Sequence, residues 1–191
     1  MRNPVRASLV VASLALSGAL LTACTPSVPA AHESKTPAPS PSTTPIFASD
    51  AEALAAAVAV YKKFEAATDA IGHDGGADPE RVKPYVSDEG YEFELKSAQK
   101  LQAEHAHGVG DTVLNNAILQ SRDETDGWAT VTIYVCEDIS KVDRIGPDGK
   151  SLVEASRGDY IKYQAVLQGR SARALVLRSN SFWSGDGVCK F

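Results

Sequence analysis

Trp128-Ala129-Thr130-Val131-Thr132-Ile133-Tyr134-Val135-Cys136-Glu137 is the stretch that decides the fold. It is dense in β-branched and aromatic residues, and Ala129, Val131, Ile133 and Val135 alternate with Trp128, Thr130, Thr132, Tyr134 and Cys136. Both sets suit burial or a half-buried surface, so the period of two predicts a central strand. Working outward, Arg122 to Gly127 reads as a polar turn that joins this strand to another over Thr112 to Ser121. On the other side Gly146-Pro147-Asp148-Gly149 has proline and glycine in turn-compatible places. Tyr160 to Gln168 and Ala172 to Trp183 then read as two more strands joined around Gly169-Arg170-Ser171.

Upstream of Gly110 the apolar period changes from two to 3.6. Ser49 and Asp50 are helix-capping residues, and Ser49 with Glu52 has capping-box spacing. Leu54, Ala57, Val58, Tyr61, Phe64, Thr68 and Ile71 follow as one stripe, with Lys62, Lys63, Glu65 and Asp69 off it, until Gly72, Gly75 and Gly76 stop the helix. Asp78-Pro79 opens a short second helix that turns Val82, Tyr85 and Val86 inward. Ser87 and Asp88 cap a third, with Tyr91, Leu95, Ala98, Leu101 and His105 on one face, and Gly108 and Gly110 end it. Three helices followed by an antiparallel meander predict an α+β domain, with the helices on one face of a mainly antiparallel sheet of four or more strands.

That domain occupies residues 49–191. Residues 1–23 read as a secretory signal: Arg2 and Arg6 precede a small and apolar run from Ser8 to Leu21, too short to remain as a membrane span. The run ends in Leu21-Thr22-Ala23-Cys24, which resembles the bacterial lipobox and implies cleavage after Ala23 and acylation of the Cys24 thiol. Residues 24–48 form a tether holding Pro26, Pro29, Pro37, Pro39, Pro41 and Pro45, six of the ten prolines, among Ser, Thr and Ala. Too few apolar residues accompany them to offset chain entropy, so an extended spacer is expected. Loss of Arg2 and Arg6 with the signal leaves 17 bases against 24 acids. Such a surface is repelled by anionic headgroups, so acyl chains and not a basic patch must anchor it. The same acidic balance excludes a nucleic-acid partner. The expected location is the extracytoplasmic face of the cell membrane.

Helices followed by long strands resemble the cone-shaped fold of nuclear transport factor 2 and its relatives. Within that superfamily Val131 to Asp138, Ser140 to Asp143, Asp148 to Ser151 and Gly185 to Cys189 resemble small actinobacterial lipoproteins. The resemblance covers about residues 50–191, and it carries little about activity because the family is largely uncharacterised. Cysteine arithmetic adds to it: with Cys24 consumed by lipid, Cys136 and Cys189 remain in an oxidising compartment and are expected to bond, pinning the glycine-rich tail to the sheet edge. Folds of this kind enclose an apolar pocket, which Tyr61, Tyr91, Tyr134, Tyr163, Phe182 and Trp183 are candidates to line, although aromatics at such spacings also simply fill cores.

No catalytic constellation stands out. His105 and His107 lack a third ligand at usable spacing, and Glu137, Asp138 and Asp143 lack the dense alternation of a calcium loop. Arg157-Gly158-Asp159 is a chance-level tripeptide, and no nucleophile elbow, phosphate loop or dinucleotide fingerprint occurs, so no cofactor or metal is implied. Relatives of the fold place an inward Asp or Glu in the pocket; here Asp159 precedes its strand and Glu137 ends one, so neither is expected to face inward. The leading expectation is a lipid-anchored, non-catalytic domain that binds a protein partner or small apolar ligand at the envelope. An isomerase- or cyclase-type enzyme using a pocket carboxylate and a structural accessory subunit are the alternatives.

Overall fold

The computed structural model describes residues 44–189. The signal segment, Cys24 and the tether up to residue 43 lie outside the described residues. The element order is α1 (Asp50–His73), a 3-10 helix (Pro79–Tyr85), α2 (Asp88–Glu104), β1 (His107–Val109), β2 (Val113–Thr125), β3 (Trp128–Asp138), β4 (Asp143–Ile145), β5 (Tyr160–Gly169), a second 3-10 turn (Ala172–Ala174) and β6 (Val176–Phe182). The strands form a four-stranded antiparallel sheet, β2-β3-β5-β6, and a separate β1-β4 pair. The α+β class and the antiparallel sheet are as the sequence implies. Among the described residues no helix is long and apolar enough to cross a membrane.

Local chemistry accounts for the boundaries. Ser49 Oγ accepts from the Glu52 amide at 3.2 Å, while the Glu52 carboxylate reaches back to the Ala48 amide at 2.7 Å, so two unpaired donors at the start of α1 are satisfied. Ser87 Oγ caps α2 through the Gly90 amide. His105 does not lie on a helix face: it is the left-handed residue that closes α2, at φ 49°. Gly76 is needed between the helices, because at φ +86° a Cβ there would sit 2.2 Å from the Ala98 carbonyl oxygen.

Two expected boundaries move. The polar run Arg122 to Thr125 is strand and not turn, leaving a two-residue hairpin at Asp126-Gly127, both at positive φ. Its polarity has a use, since Glu124 accepts from the amides of Ile46 and Phe47 and Arg122 donates to the Phe47 carbonyl. Phe47 is 1% exposed. The fold therefore takes in the last residues of the proline-rich segment, and burying that ring contributes on the order of 2 kcal/mol. The final strand starts at Val176, because Ala172–Ala174 tightens into a 3-10 turn packed against Gly169.

The pleat divides the sheet cleanly. Ala129, Val131, Ile133 and Val135 face α1 and α2 and join Ala57, Tyr61, Phe64, Val82, Ala98, Leu167 and Leu177 in the core. Thr130, Thr132, Tyr134 and Cys136 face the other way. There the C-terminal segment folds back: Cys136 is bonded to Cys189 with Cα atoms 5.2 Å apart, Trp183 stacks on Tyr134 at 4.0 Å, and Val188 is fully buried with its carbonyl accepting from Asn116.

Candidate functional site

Most of the chemistry of the domain sits on the helix-facing side of the sheet. Tyr61 projects from the middle of α1 and is fully buried. Its hydroxyl donates to Glu137 Oε1 at 2.5 Å and accepts from Asn180 Nδ2 at 2.9 Å, tying α1 to β3 and β6. Glu65 lies one turn further along α1 and is buried against the same group, hydrogen-bonded to Glu137. Burial, and then the Glu137 charge, pushes the Glu65 carboxyl well above the usual carboxylate range. Burial also raises Glu137, but the hydrogen bonds it receives from Tyr61 and Glu65 pull it back. Of the two, Glu65 is held the further above the carboxylate range. Burial and the neighbouring glutamate charges push the Tyr61 hydroxyl upward, so it remains a donor.

Glu137 is the correction to the expectation that no acid faces inward. β3 runs one residue further, to Asp138, and Glu137 keeps the parity of Val131, Ile133 and Val135. Glu65 and Asp69 correct the α1 stripe in the same way: Tyr61, Glu65 and Asp69 follow the i, i+4, i+8 repeat of one helix face. Asp69 is half-buried and receives the Thr112 amide at 2.8 Å and the Thr112 hydroxyl at 3.0 Å. Burial raises its carboxyl and those two donors oppose the rise.

Beside this buried cluster lies an open crevice of about 180 Å³ between α2 and β6. Phe64, Val86 and Leu177 form its apolar floor, and Gly90, Phe93, Glu94 and Asn180 line it. Phe93 is 67% exposed, and Phe182, beyond Asn180 on β6, is 80% exposed. Burial pushes the Glu94 carboxyl up to about 7, and no hydrogen bond or ion pair reaches it among the described residues. Asn180 uses its amide nitrogen on Tyr61, which leaves its buried Oδ1 without a partner. Lys62, Glu65, Asp69, His73 and Asp111 line a second groove, wider and more polar, with His73 bonded to the Gly110 carbonyl.

The six aromatic candidates separate. Tyr61 is core, and Tyr163 faces the helices, where Glu137, Glu65 and Glu94 surround it and, after burial, raise its hydroxyl. Phe182 stacks on Tyr163 at 5.0 Å but is mostly in solvent. Tyr91 donates to Glu80 at the surface. Tyr134 and Trp183 are on the opposite side of the sheet and line nothing between sheet and helices. The crevice residues Phe93, Glu94 and Asn180 have no motif. Their one signal is irregularity, an exposed Phe93 and a bulge in β6 near Leu177.

No protein-family model matches the chain, and no curated protein is similar to it. Among solved structures the chain is similar to the intermembrane space region of the chloroplast protein ARC6, with a TM-score of 0.52 at 11% identity over 69% of this chain and 97% of that one. That likeness is one of fold. A de novo designed β-sheet protein aligns with a TM-score of 0.23 at 11% identity, over 74% of this chain and 90% of that one.

Proposed function

We propose that this is a lipid-anchored, extracytoplasmic, non-catalytic domain of the nuclear transport factor 2-like type, which recognises a protein partner through the crevice between α2 and β6. Cys24 carries the anchor in this reading, and residues 24–45 are the spacer. The observation that carries it is the crevice itself. Its volume of about 180 Å³ falls below the roughly 300–1,000 Å³ of small-molecule sites and suits one apolar side chain. Exposed Phe93 and Phe182 beside it are the kind of aromatic anchors that interfaces bury. The Glu65–Glu137 pair is largely buried and ties α1 to β3 through Tyr61.

A second reading is an enzyme using a pocket carboxylate. It is favoured by Glu94, whose carboxyl, raised to about 7 at the mouth of the crevice, is suited to proton transfer at neutral pH. The two readings separate by mutation of the full chain in its own envelope. Affinity recovery after detergent extraction is expected to yield a partner that Phe93→Asp depletes at least tenfold, with Glu94→Gln the weaker of the two. Recovery unchanged by Phe93→Asp overturns the interaction reading. Cys24→Ala is expected to move the protein from the membrane to the soluble fraction, and unchanged retention contradicts the anchor.

A further inference from the structure

β6 is an edge of the sheet, and its outer side is open next to the crevice. The Trp183 amide donates inward to the Lys162 carbonyl. In an antiparallel ladder residues alternate between pairing with the neighbour and facing away, so the backbone groups of Phe182 and Asn180 point outward. Neither residue has a backbone partner on that side among the described residues. At the other end of the strand the outer edge is closed, where the Ser87 amide donates to the Leu177 carbonyl.

We propose that a partner protein docks here by strand addition, laying an extended segment antiparallel or parallel along Asn180–Phe182 with one apolar side chain in the crevice and a basic residue beside it. This rests on the crevice reading above and specifies its mode. Main-chain bonds to the open edge supply affinity, and alternate side chains of the added strand supply specificity. The chemistry of the occupant follows from what is unfilled. The Glu94 carboxyl lacks a donor, and Glu89 adds a second acid to a lining whose single cation, Arg178, already donates to Gln168, so the incoming chain must bring main-chain hydrogen bonds for the edge and a basic side chain for Glu94. A second copy of this chain fits less well, since an edge-to-edge pair would join two net-acidic molecules with only Arg178 on each side to offset Glu89 and Glu94.

The test uses the full-length chain, extracted from its membranes and immobilised, against a random seven-residue peptide library displayed on phage. Recovered peptides are expected to share an apolar residue with Lys or Arg two positions away, and synthetic copies are expected to bind in solution. N-methylation of each peptide amide in turn is expected to weaken binding at least tenfold at every second position and less than twofold between. That signature belongs to a strand docked by one edge and leaves the protein untouched. Phe182→Pro, which removes an outward N–H at a position an edge strand tolerates, is expected to weaken binding at least tenfold, and Phe182→Ala about threefold. A library without such a consensus, or an N-methyl scan without alternation, overturns strand addition. If the scan is flat while Phe93→Asp still abolishes partner recovery, the crevice reading stands and this mode fails. Self-association of the chain that Phe182→Pro abolishes assigns the edge to a second copy and overturns the proposal.

Discussion

The two sides of the β2-β3-β5-β6 sheet keep their polar groups in opposite ways. Toward the helices, Tyr61, Glu65, Glu137 and Asn180 are gathered in a largely buried network whose charge state depends on burial. On the other side Gln164 and Gln120, and Gln168 and Thr130, form open cross-strand pairs, and the covering segment is held covalently by Cys136–Cys189. One side is therefore sensitive to protons and the other to redox state. The proposed docking site follows the same division: the crevice and open edge lie where the helices leave β6 uncovered, and the stapled tail occupies the far side.

The largest test of this contrast is on the stapled side. Replacing both Cys136 and Cys189 by Ser removes a crosslink between residues 53 apart. The expected loss is roughly 4 kcal/mol on the chain-entropy account, or about 10 °C in Tm, read by calorimetry. On the helix-facing side Tyr61→Phe leaves Glu137 and Asn180 short of a partner in the core, with an expected loss of about 2 kcal/mol by urea unfolding. A loss below about 0.5 kcal/mol contradicts a buried network.

Acid dependence comes next. Glu65, Glu94 and Glu137 all have carboxyls raised in the folded state. The folded state then holds protons that the unfolded chain has released, so stability is fullest below the unfolded carboxylate pKa and falls as pH rises through the folded values. For Glu94 that window runs from about 4.5 to about 7. The expected fall there is on the order of 2 kcal/mol after allowance for its partial exposure, and Glu94→Gln is expected to flatten it. The serine double variant is expected to keep the same pH slope. The smallest effect is at the surface: Phe93→Ser changes unfolding by less than about 0.5 kcal/mol while removing partner binding.

The sequence discloses these two sides unequally. Alternation through Val131, Ile133 and Val135 identifies β3, and residual cysteine count identifies the disulfide, because hydrophobic period and covalent pairing leave direct marks. The acid network is hidden because an inward glutamate breaks the apolar pattern by which inward positions are recognised. Glu137 reads as the end of a strand and Glu65 as a solvated helix position, although the parity of one and the i, i+4 spacing from Tyr61 of the other place both inside. The crevice leaves no motif, since it is made by what α2 fails to cover. Tyr134 and Trp183 mislead for a related reason: aromatic side chains serve either side of a sheet, and only the fold-back of the tail decides which.

The most direct measurement places a photo-crosslinking residue at Phe93, on the crevice, or at Ile118, partly exposed on the far side of the sheet, in the anchored protein within its own envelope. The account predicts a discrete adduct with another polypeptide from position 93 and none from position 118. An adduct from position 118 with none from 93 would contradict it.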